Sequence, residues 1–194
     1  MTISMTTAVL RQSVMAWLAL GLSVGLVMPA HAALDIGQAA PAFSAPAALA
    51  GKPFVFSLAG ALAKGPVVLY FFPTAFSQGC SIEAHEFAEA IEKFQALGAS
   101  VVGVSTDDID TLSKFSSQVC QGKFPVASDE SRAITQSFDA TMQTRPDFAN
   151  RISYVIAQDG RVAFYYLNPT RHVEKTLDAL RALQRTRPVK PASN

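Results

Sequence analysis

The sequence has few charged residues and nearly equal numbers of basic and acidic ones, which limits the classes of molecule that the protein is expected to bind. Charged residues make up 16% of the 194 residues, and the formal net charge is only +1. The chain therefore lacks the basic surface that proteins use to bind nucleic acid or an anionic membrane. We expect no nucleic acid to bind, and we expect the ligand to be a small uncharged molecule or another protein.

Cysteine is also scarce, since Cys80 and Cys120 are the only two in the chain. A disulfide oxidoreductase of the thioredoxin type needs Cys-x-x-Cys, and here the third residue after Cys80 is Glu83. Two cysteines allow only one disulfide, so a permanent structural bond is an open alternative. Closing a loop of about 40 residues would stabilise the fold by roughly 4 kcal/mol on the chain-entropy model.

The N-terminal segment has the pattern of a secretory signal peptide. Residues 1–13 carry one basic residue, Arg11, and no acid, and an apolar run follows from Val14 to Met28. Ala30-His31-Ala32 then gives the small-x-small pattern of a cleavage site. We predict a signal peptide over 1–32 and export, to the periplasm of a bacterium, where disulfides persist. The apolar run is short for a membrane span. The alternative is an uncleaved membrane anchor. After cleavage of the signal peptide we expect no association with a membrane.

The rest of the chain predicts one α/β domain over 33–186 and a loose polar tail over 187–194. Residues 33–50 predict an irregular lead-in. Apolar runs predict strands over 54–58, 67–72, 101–105, 151–156 and 161–166, with a short extended piece at 124–127. Helical patterns begin near 80, 106, 131 and 169. A βαβ unit followed by ββα is typical of a thioredoxin-like α/β fold, with a central mixed sheet flanked by helices.

Cys80 stands where a central strand ends and a helix begins. The free amides and the positive dipole end of the first helical turn favour a thiolate over a thiol. Gly79 lets the backbone approach a ligand closely, and Ser77 can place a hydroxyl near the sulfur. Pro73 begins the loop and can shield the site from water. These residues predict a reactive cysteine site.

The same residues carry a resemblance to a known family. Pro73-x-x-x-Ser77-x-x-Cys80 resembles the peroxiredoxin motif Pro-x-x-x-Thr/Ser-x-x-Cys, and Glu83 matches the acid that commonly follows. Arg151 matches the active-site arginine of that family, and Phe124–Asp129 resembles its Phe-Pro-x-x-Ser-Asp segment. The resemblance runs from about residue 34 to 183. It is most similar to the bacterioferritin-comigratory branch, also called PrxQ.

This resemblance implies a thiol-dependent peroxidase with a peroxiredoxin-type fold. Cys80 would attack hydrogen peroxide or an organic hydroperoxide and become a sulfenic acid, while Arg151 would keep it ionised and stabilise charge on the leaving oxygen. Ser77, Gly79 and Glu83 would form the substrate site, and Pro73 would shield it. We expect no cofactor, no metal, a thioredoxin-like or other thiol as reductant, and a monomer.

The sequence departs from the branch at one position. Many members carry a second cysteine five residues after the first, and here that residue is His85. Cys120 is then the candidate resolving cysteine, and its disulfide with Cys80 would require local unwinding. An ordinary packed thiol is the alternative role for Cys120. The alternative function is a non-enzymatic thioredoxin-like protein that binds copper or another partner and has a structural Cys80–Cys120 disulfide.

Overall fold

The computed structural model describes residues 33–186, so the predicted signal peptide (1–32) and tail (187–194) lie outside the described residues. Within the described residues, seven strands form one sheet: β1 (Ser44–Leu49), β2 (Lys52–Ser57), β3 (Val67–Phe71), β4 (Ser100–Ser105), β5 (Val126–Ser128), β6 (Ile152–Ile156) and β7 (Val162–Leu167). The same part of the chain has five helices: α1 (Leu58–Leu62), α2 (Gln78–Ala96), α3 (Ile109–Gln118), α4 (Ala133–Ser137) and α5 (His172–Thr186).

The sheet is mixed, with the strand order β2-β1-β5-β4-β3-β6-β7. β3, β4 and β5 run parallel, while β6 pairs with β3 and β7 in antiparallel fashion and β1 pairs with β2 and β5 in the same way. The prediction of a central mixed sheet flanked by helices is therefore confirmed.

Side chains on the two faces of the sheet form two separate hydrophobic clusters. Along β3, Val68 and Tyr70 contribute to one cluster, while Leu69 and Phe71 contribute to the other, as the two-residue period of a strand requires. Helices α2, α3 and α5 cover the first cluster, and α1 and α4 cover the second. β3 is thus buried on both faces, which explains its continuous apolar sequence.

The prediction that residues 33–50 form an irregular lead-in is wrong for β1. Ser44–Leu49 pairs with all six residues of β2, and Ala47 and Ala48 also pair with β5. The buried positions of β1 are Ala45, Ala47 and Ala48. Alanine and proline give little strand signal in a sequence, so this strand depends on its neighbours and not on its own propensity.

The topology brings the end of β3 next to the start of β6. Phe71, the last residue of β3, pairs with Ile152, the first residue of β6. Arg151 therefore lies beside the loop that leads from β3 into α2. Because β4 runs parallel to β3, the residues that follow β4 lie at the same edge of the sheet.

The structure gives no candidate membrane span between residues 33 and 186, since no helix there has both the length and the apolar character to cross a bilayer.

Candidate active site

Cys80 lies in the first turn of α2 and is almost fully buried, with 1% of its surface exposed. Ser77 occupies the position before the helix, in an extended conformation. By position, the amides of Gly79 and Cys80 belong to the first turn, which has no acceptors within the helix. The sulfur is thus placed at the positive end of the helix dipole, where a negative charge is favoured.

Arg151 provides the positive charge that is closest to the sulfur among the described contacts. Its Nη2 donates to Cys80 Sγ at 3.3 Å. Its Nη1 donates to Glu83 Oε2 at 2.9 Å and to the Gly79 carbonyl at 3.1 Å. Three contacts from one planar guanidinium fix its position across the first turn of α2.

Gly79 leaves room for this guanidinium. A Cβ atom added at residue 79 would lie 3.1 Å from Arg151 Nη2 and 3.7 Å from its Cζ. Any larger side chain would therefore press on the group that contacts the sulfur. The arginine occupies the space beside Gly79, and the close approach of a ligand there stays a prediction.

Ser77 and Pro73 lie in the loop that joins β3 to α2. The Ser77 hydroxyl donates to the Thr74 carbonyl at 3.2 Å, and its oxygen keeps the capacity to accept a further hydrogen bond. Pro73 is buried, and the shielding role stays a prediction.

Asp107, which follows β4, holds this loop in place and was not identified from the sequence as a site residue. Its carboxylate accepts from the Ala75 amide at 2.7 Å, from Thr74 Oγ1 at 3.2 Å and from Ser105 Oγ at 2.6 Å. The sequence predicts only that this aspartate lies near the start of a helix. That helix begins later, at Ile109, with Asp108 as its N-cap.

We expect the Asp107→Ala variant to lower the free energy of unfolding by about 2 kcal/mol, because it removes charge-assisted hydrogen bonds to a partly buried loop. Alkylation of Cys80 should also slow as the loop loosens. Urea unfolding and iodoacetamide kinetics measure the two effects. Asp108→Ala is the matched control, since Asp108 caps α3 and makes none of these loop contacts; an equal slowing of alkylation in both variants would contradict the role of Asp107.

Glu83 is buried beneath Arg151, one turn after Cys80. Burial raises the pKa of Glu83 to about 7, and this effect outweighs the opposing influence of the Arg151 charge. Oε2 binds Arg151, but Oε1 has no hydrogen-bond partner among the described residues. His172 Nδ1 lies 3.6 Å from Oε1. The sequence assigns no role to His172.

A pocket of about 300 Å³ opens beside Arg151. It is bounded by the first turns of α2 and the segment that leads into α5. Its lining residues are Gly79, Ile82, Glu83, Glu86, Arg151, Pro169, Thr170, Arg171 and His172. A small molecule in this pocket would contact the guanidinium that contacts Cys80 Sγ.

Comparison with known proteins identifies the family. The model of the AhpC/TSA family matches residues 36–165, about two thirds of the chain. This chain belongs to the AhpC/TSA family.

Relatives of this AhpC/TSA-family protein include the chloroplastic peroxiredoxin Q of Populus jackii, 33% identical over 121 residues, covering 61% of this chain and 56% of the relative. The peroxiredoxin Q of Arabidopsis thaliana is 34% identical over 118 residues, covering 59% and 54% of the two chains. The chain thus spans little more than half the length of these curated relatives.

Among solved structures, peroxidoxin BcpB of Mycobacterium tuberculosis has a TM-score of 0.70 and 28% identity, and the match covers 77% of this chain and 98% of that one. AhpC of the same organism has a TM-score of 0.69 at 23% identity, with coverage of 78% and 94%, and supports the fold alone. The predicted resemblance to peroxiredoxins of the PrxQ branch is confirmed.

In this chain both cysteines are buried free thiols. Cys120 follows the end of α3, and burial raises its pKa to about 12. Its segment is anchored from two sides. Gln121 Nε2 lies 3.0 Å from His85 Nδ1, and a Cβ at Gly122 would lie 2.9 Å from Ala50 Cβ. Cys80 and Cys120 form no disulfide in the structure.

Proposed function

We propose that this protein is a thiol-dependent peroxidase that reduces hydrogen peroxide and organic hydroperoxides at Cys80. The observation that supports it best is the Arg151 guanidinium 3.3 Å from a sulfur at the start of α2. The peroxiredoxin family of the chain supports the same chemistry. A pocket of about 300 Å³ lies on the other side of the Arg151 guanidinium, and Cys80 is not among its lining residues.

The Cys80 thiolate would attack the terminal oxygen of the hydroperoxide. The S–O bond forms as the O–O bond breaks, and the leaving oxygen takes up a proton and departs as water or an alcohol. Cys80 is oxidised to a sulfenic acid, and the peroxide is reduced. Arg151 would stabilise the charge that moves from sulfur to the leaving oxygen, since its Nη2 already contacts the sulfur.

The proposed substrates include organic hydroperoxides because apolar side chains are exposed near the site. Phe76, in the loop before α2, is 45% exposed, and Ile82, which lines the pocket, is 55% exposed. Phe72, by contrast, is fully buried in the core. The alkyl group of a substrate could therefore contact Phe76 or Ile82 but not Phe72.

Cys120 is proposed as the resolving cysteine. Its thiol would attack the Cys80 sulfenic sulfur and release water, leaving a disulfide that an external thioredoxin-like dithiol reduces. Both thiols are buried and unpaired, so the α3 end must unwind first. Disulfide formation should therefore be slower than the reaction with peroxide.

Stoichiometric oxidation tests both parts of this scheme. After one equivalent of hydrogen peroxide, we expect the reduced protein to lose two thiols and to give a Cys80–Cys120 disulfide in a peptide map. Two thiols left intact would contradict the peroxidase proposal. Oxidation of Cys80 with a free Cys120 would instead show that Cys120 does not resolve the sulfenic acid.

Export is proposed on the sequence of residues 1–32 alone, and the plant relatives carry the word chloroplastic in their names. Expression of the full chain in a bacterium, followed by cell fractionation and mass measurement, tests it. We expect a periplasmic protein that begins at Ala33. A full-length protein in the cytosolic fraction would contradict export.

A further inference from the structure

One side-chain contact joins the two segments of the chain that carry the cysteines. Cys80 stands in the first turn of α2, and Cys120 follows the end of α3. His85 lies on α2, five residues after Cys80, and its Nδ1 is 3.0 Å from Gln121 Nε2. Among the hydrogen bonds of the described side chains, no other links α2 to residues 119–123. We refer to this contact as the His85–Gln121 clasp.

The ring of His85 faces a second group on its own helix. Its Nε2 lies 3.2 Å from Glu89 Oε1, one turn further along α2. A carboxylate beside Nε2 favours a proton on that nitrogen, which leaves on Nδ1 the lone pair that the Gln121 amide needs as an acceptor. α2 therefore presents the ring to Gln121 in a suitable tautomer.

The backbone after Cys120 has a conformation that one of its residues disfavours. Gln121 has a φ of 54°, in the left-handed region that side chains other than glycine rarely adopt. Gly122 follows with a φ of 66°, which glycine adopts at little cost. The Gly122 amide donates to the Ser116 carbonyl at 2.8 Å and closes the turn. Opening of the turn relieves the strain at Gln121, so a contact that holds this side chain opposes the opening.

Cys120 can react only after this turn opens. The thiol is fully buried, although the next residue, Gln121, is exposed. Two main-chain hydrogen bonds hold the cysteine itself, from its amide to the Phe115 carbonyl at 3.1 Å and from the Lys123 amide to its carbonyl at 2.9 Å. Few bonds break when one turn at a helix end opens, so the opening does not require global unfolding.

We propose that His85 is a positioning residue that holds the turn after α3 closed through Gln121, and so limits how often Cys120 can reach Cys80. The inference rests on the proposed resolving role of Cys120 only for its effect on disulfide formation. Once the turn opens, the Cys120 thiol attacks the Cys80 sulfenic acid. The S–S bond forms as the S–O bond breaks, and the oxygen leaves as water with the Cys120 proton.

The clasp separates the two steps of the proposed reaction. Peroxide reacts at Cys80 while the turn is closed, whereas the disulfide forms only from the open turn. Loss of the clasp should speed disulfide formation about fivefold, the effect of one ordinary hydrogen bond. The reaction with peroxide should keep its rate, because His85 makes none of the contacts described for Cys80 and Arg151. The sulfenic acid would then persist for a shorter time, and overoxidation would need more peroxide.

Alkylation of the reduced protein tests the clasp without any peroxide. Labelling of Cys120 by iodoacetamide, followed by peptide mass spectrometry, reports how often the turn opens, since a fully buried thiol reacts only from the open state. We expect His85→Ala and Gln121→Ala each to raise the labelling rate about fivefold. The double variant should be no faster than either single variant. A double variant about 25-fold faster than the wild type would show that the two residues act independently, and would overturn the proposal.

Gln118→Ala is the matched control. It removes the same kind of side chain three residues earlier, at the exposed last position of α3, and leaves the clasp in place. Its labelling rate at Cys120 should equal that of the wild type. Hydrogen exchange of the β3 amides reports global unfolding and should be the same in all the variants. If labelling of Cys120 and exchange in β3 increase together, the role of His85 is only general stability, and the proposal is wrong.

Rapid-quench oxidation with one equivalent of hydrogen peroxide gives the kinetic result. In His85→Ala we expect the disulfide to form faster, at an unchanged rate of sulfenic acid formation. If the variants expose Cys120 to alkylation but peroxide stays intact, the clasp is retained and the peroxidase is refuted. If peroxide is consumed and Cys120 is labelled equally in all variants, the clasp is refuted and the peroxidase is retained.

Discussion

Replacing Cys80 by serine is expected to abolish peroxide consumption, with a loss of at least about 10³-fold, because a hydroxyl at neutral pH is neither ionised nor easily oxidised. The fold should survive. Serine is close to cysteine in size, and Arg151 Nη2, now 3.3 Å from Sγ, can donate to its oxygen. A coupled assay that follows peroxide loss in the presence of a dithiol reductant measures the effect.

Cys120→Ser is the matched control for this variant, since both cysteines are buried free thiols on the same side of the sheet. It should complete one turnover and then stop or become overoxidised at Cys80. Unchanged cycling of Cys120→Ser would show that Cys120 does not resolve the sulfenic acid. Equal activity of both variants and the wild type would place the chemistry elsewhere.

Replacing Arg151 by alanine is expected to slow the reaction with peroxide by about 10²–10³-fold. The variant loses the donor at Cys80 Sγ and also the group that holds Glu83 and the Gly79 carbonyl. Stopped-flow measurement of the second-order rate constant tests this. Alkylation of Cys80 at pH 7 should slow as well, because the thiolate loses its neighbouring positive charge.

Arg151→Lys separates charge from geometry. A lysine keeps one positive charge but presents a single nitrogen, so it cannot contact Cys80 and Glu83 with two separate groups. We expect a rate between those of the wild type and Arg151→Ala. If Arg151→Lys reacts as fast as the wild type, the planar guanidinium geometry is unimportant. If Arg151→Ala reacts as fast as the wild type, Arg151 has no part in the mechanism.

The Arg151→Ala variant should also have a lower free energy of unfolding, by an amount that depends on pH. Burial raises the pKa of Glu83 above its ordinary value, so ionisation of Glu83 destabilises the fold as pH rises towards 7. Arg151 offsets part of this cost by binding the carboxylate. Arg151→Ala should therefore lose more stability at pH 8, where Glu83 is charged in the wild type, than at pH 6.

The sequence predicts the central strands well because burial on both faces requires a run of apolar residues. Val67–Phe71 is a continuous apolar run, β4 has the run Val101–Val104 between two serines, and the structure buries nearly every residue in both strands. β1 escapes prediction because its buried residues are alanines, whose burial depends on contacts with β2 and β5. A local sequence pattern cannot predict a strand whose stability comes from the strands beside it.

The residues of the candidate site also differ in whether the sequence alone can predict them. Residues 73–83 lie together in the chain, and their turn, cap and cysteine chemistry can be recognised as one motif. Arg151 is recognised only through resemblance, although the pairing of β3 with β6 explains its place. Asp107 and His172 reach the site through the fold, and neither residue type at those positions signals a role on its own.

The most direct test of the central claim is to trap the oxidised sulfur. Reduced Cys120→Ser protein would be mixed with one equivalent of hydrogen peroxide in the presence of dimedone, and the digested peptides would be weighed by mass spectrometry. We predict one dimedone adduct, on Cys80, formed as the peroxide disappears. An unmodified Cys80 with the peroxide still present would contradict the account.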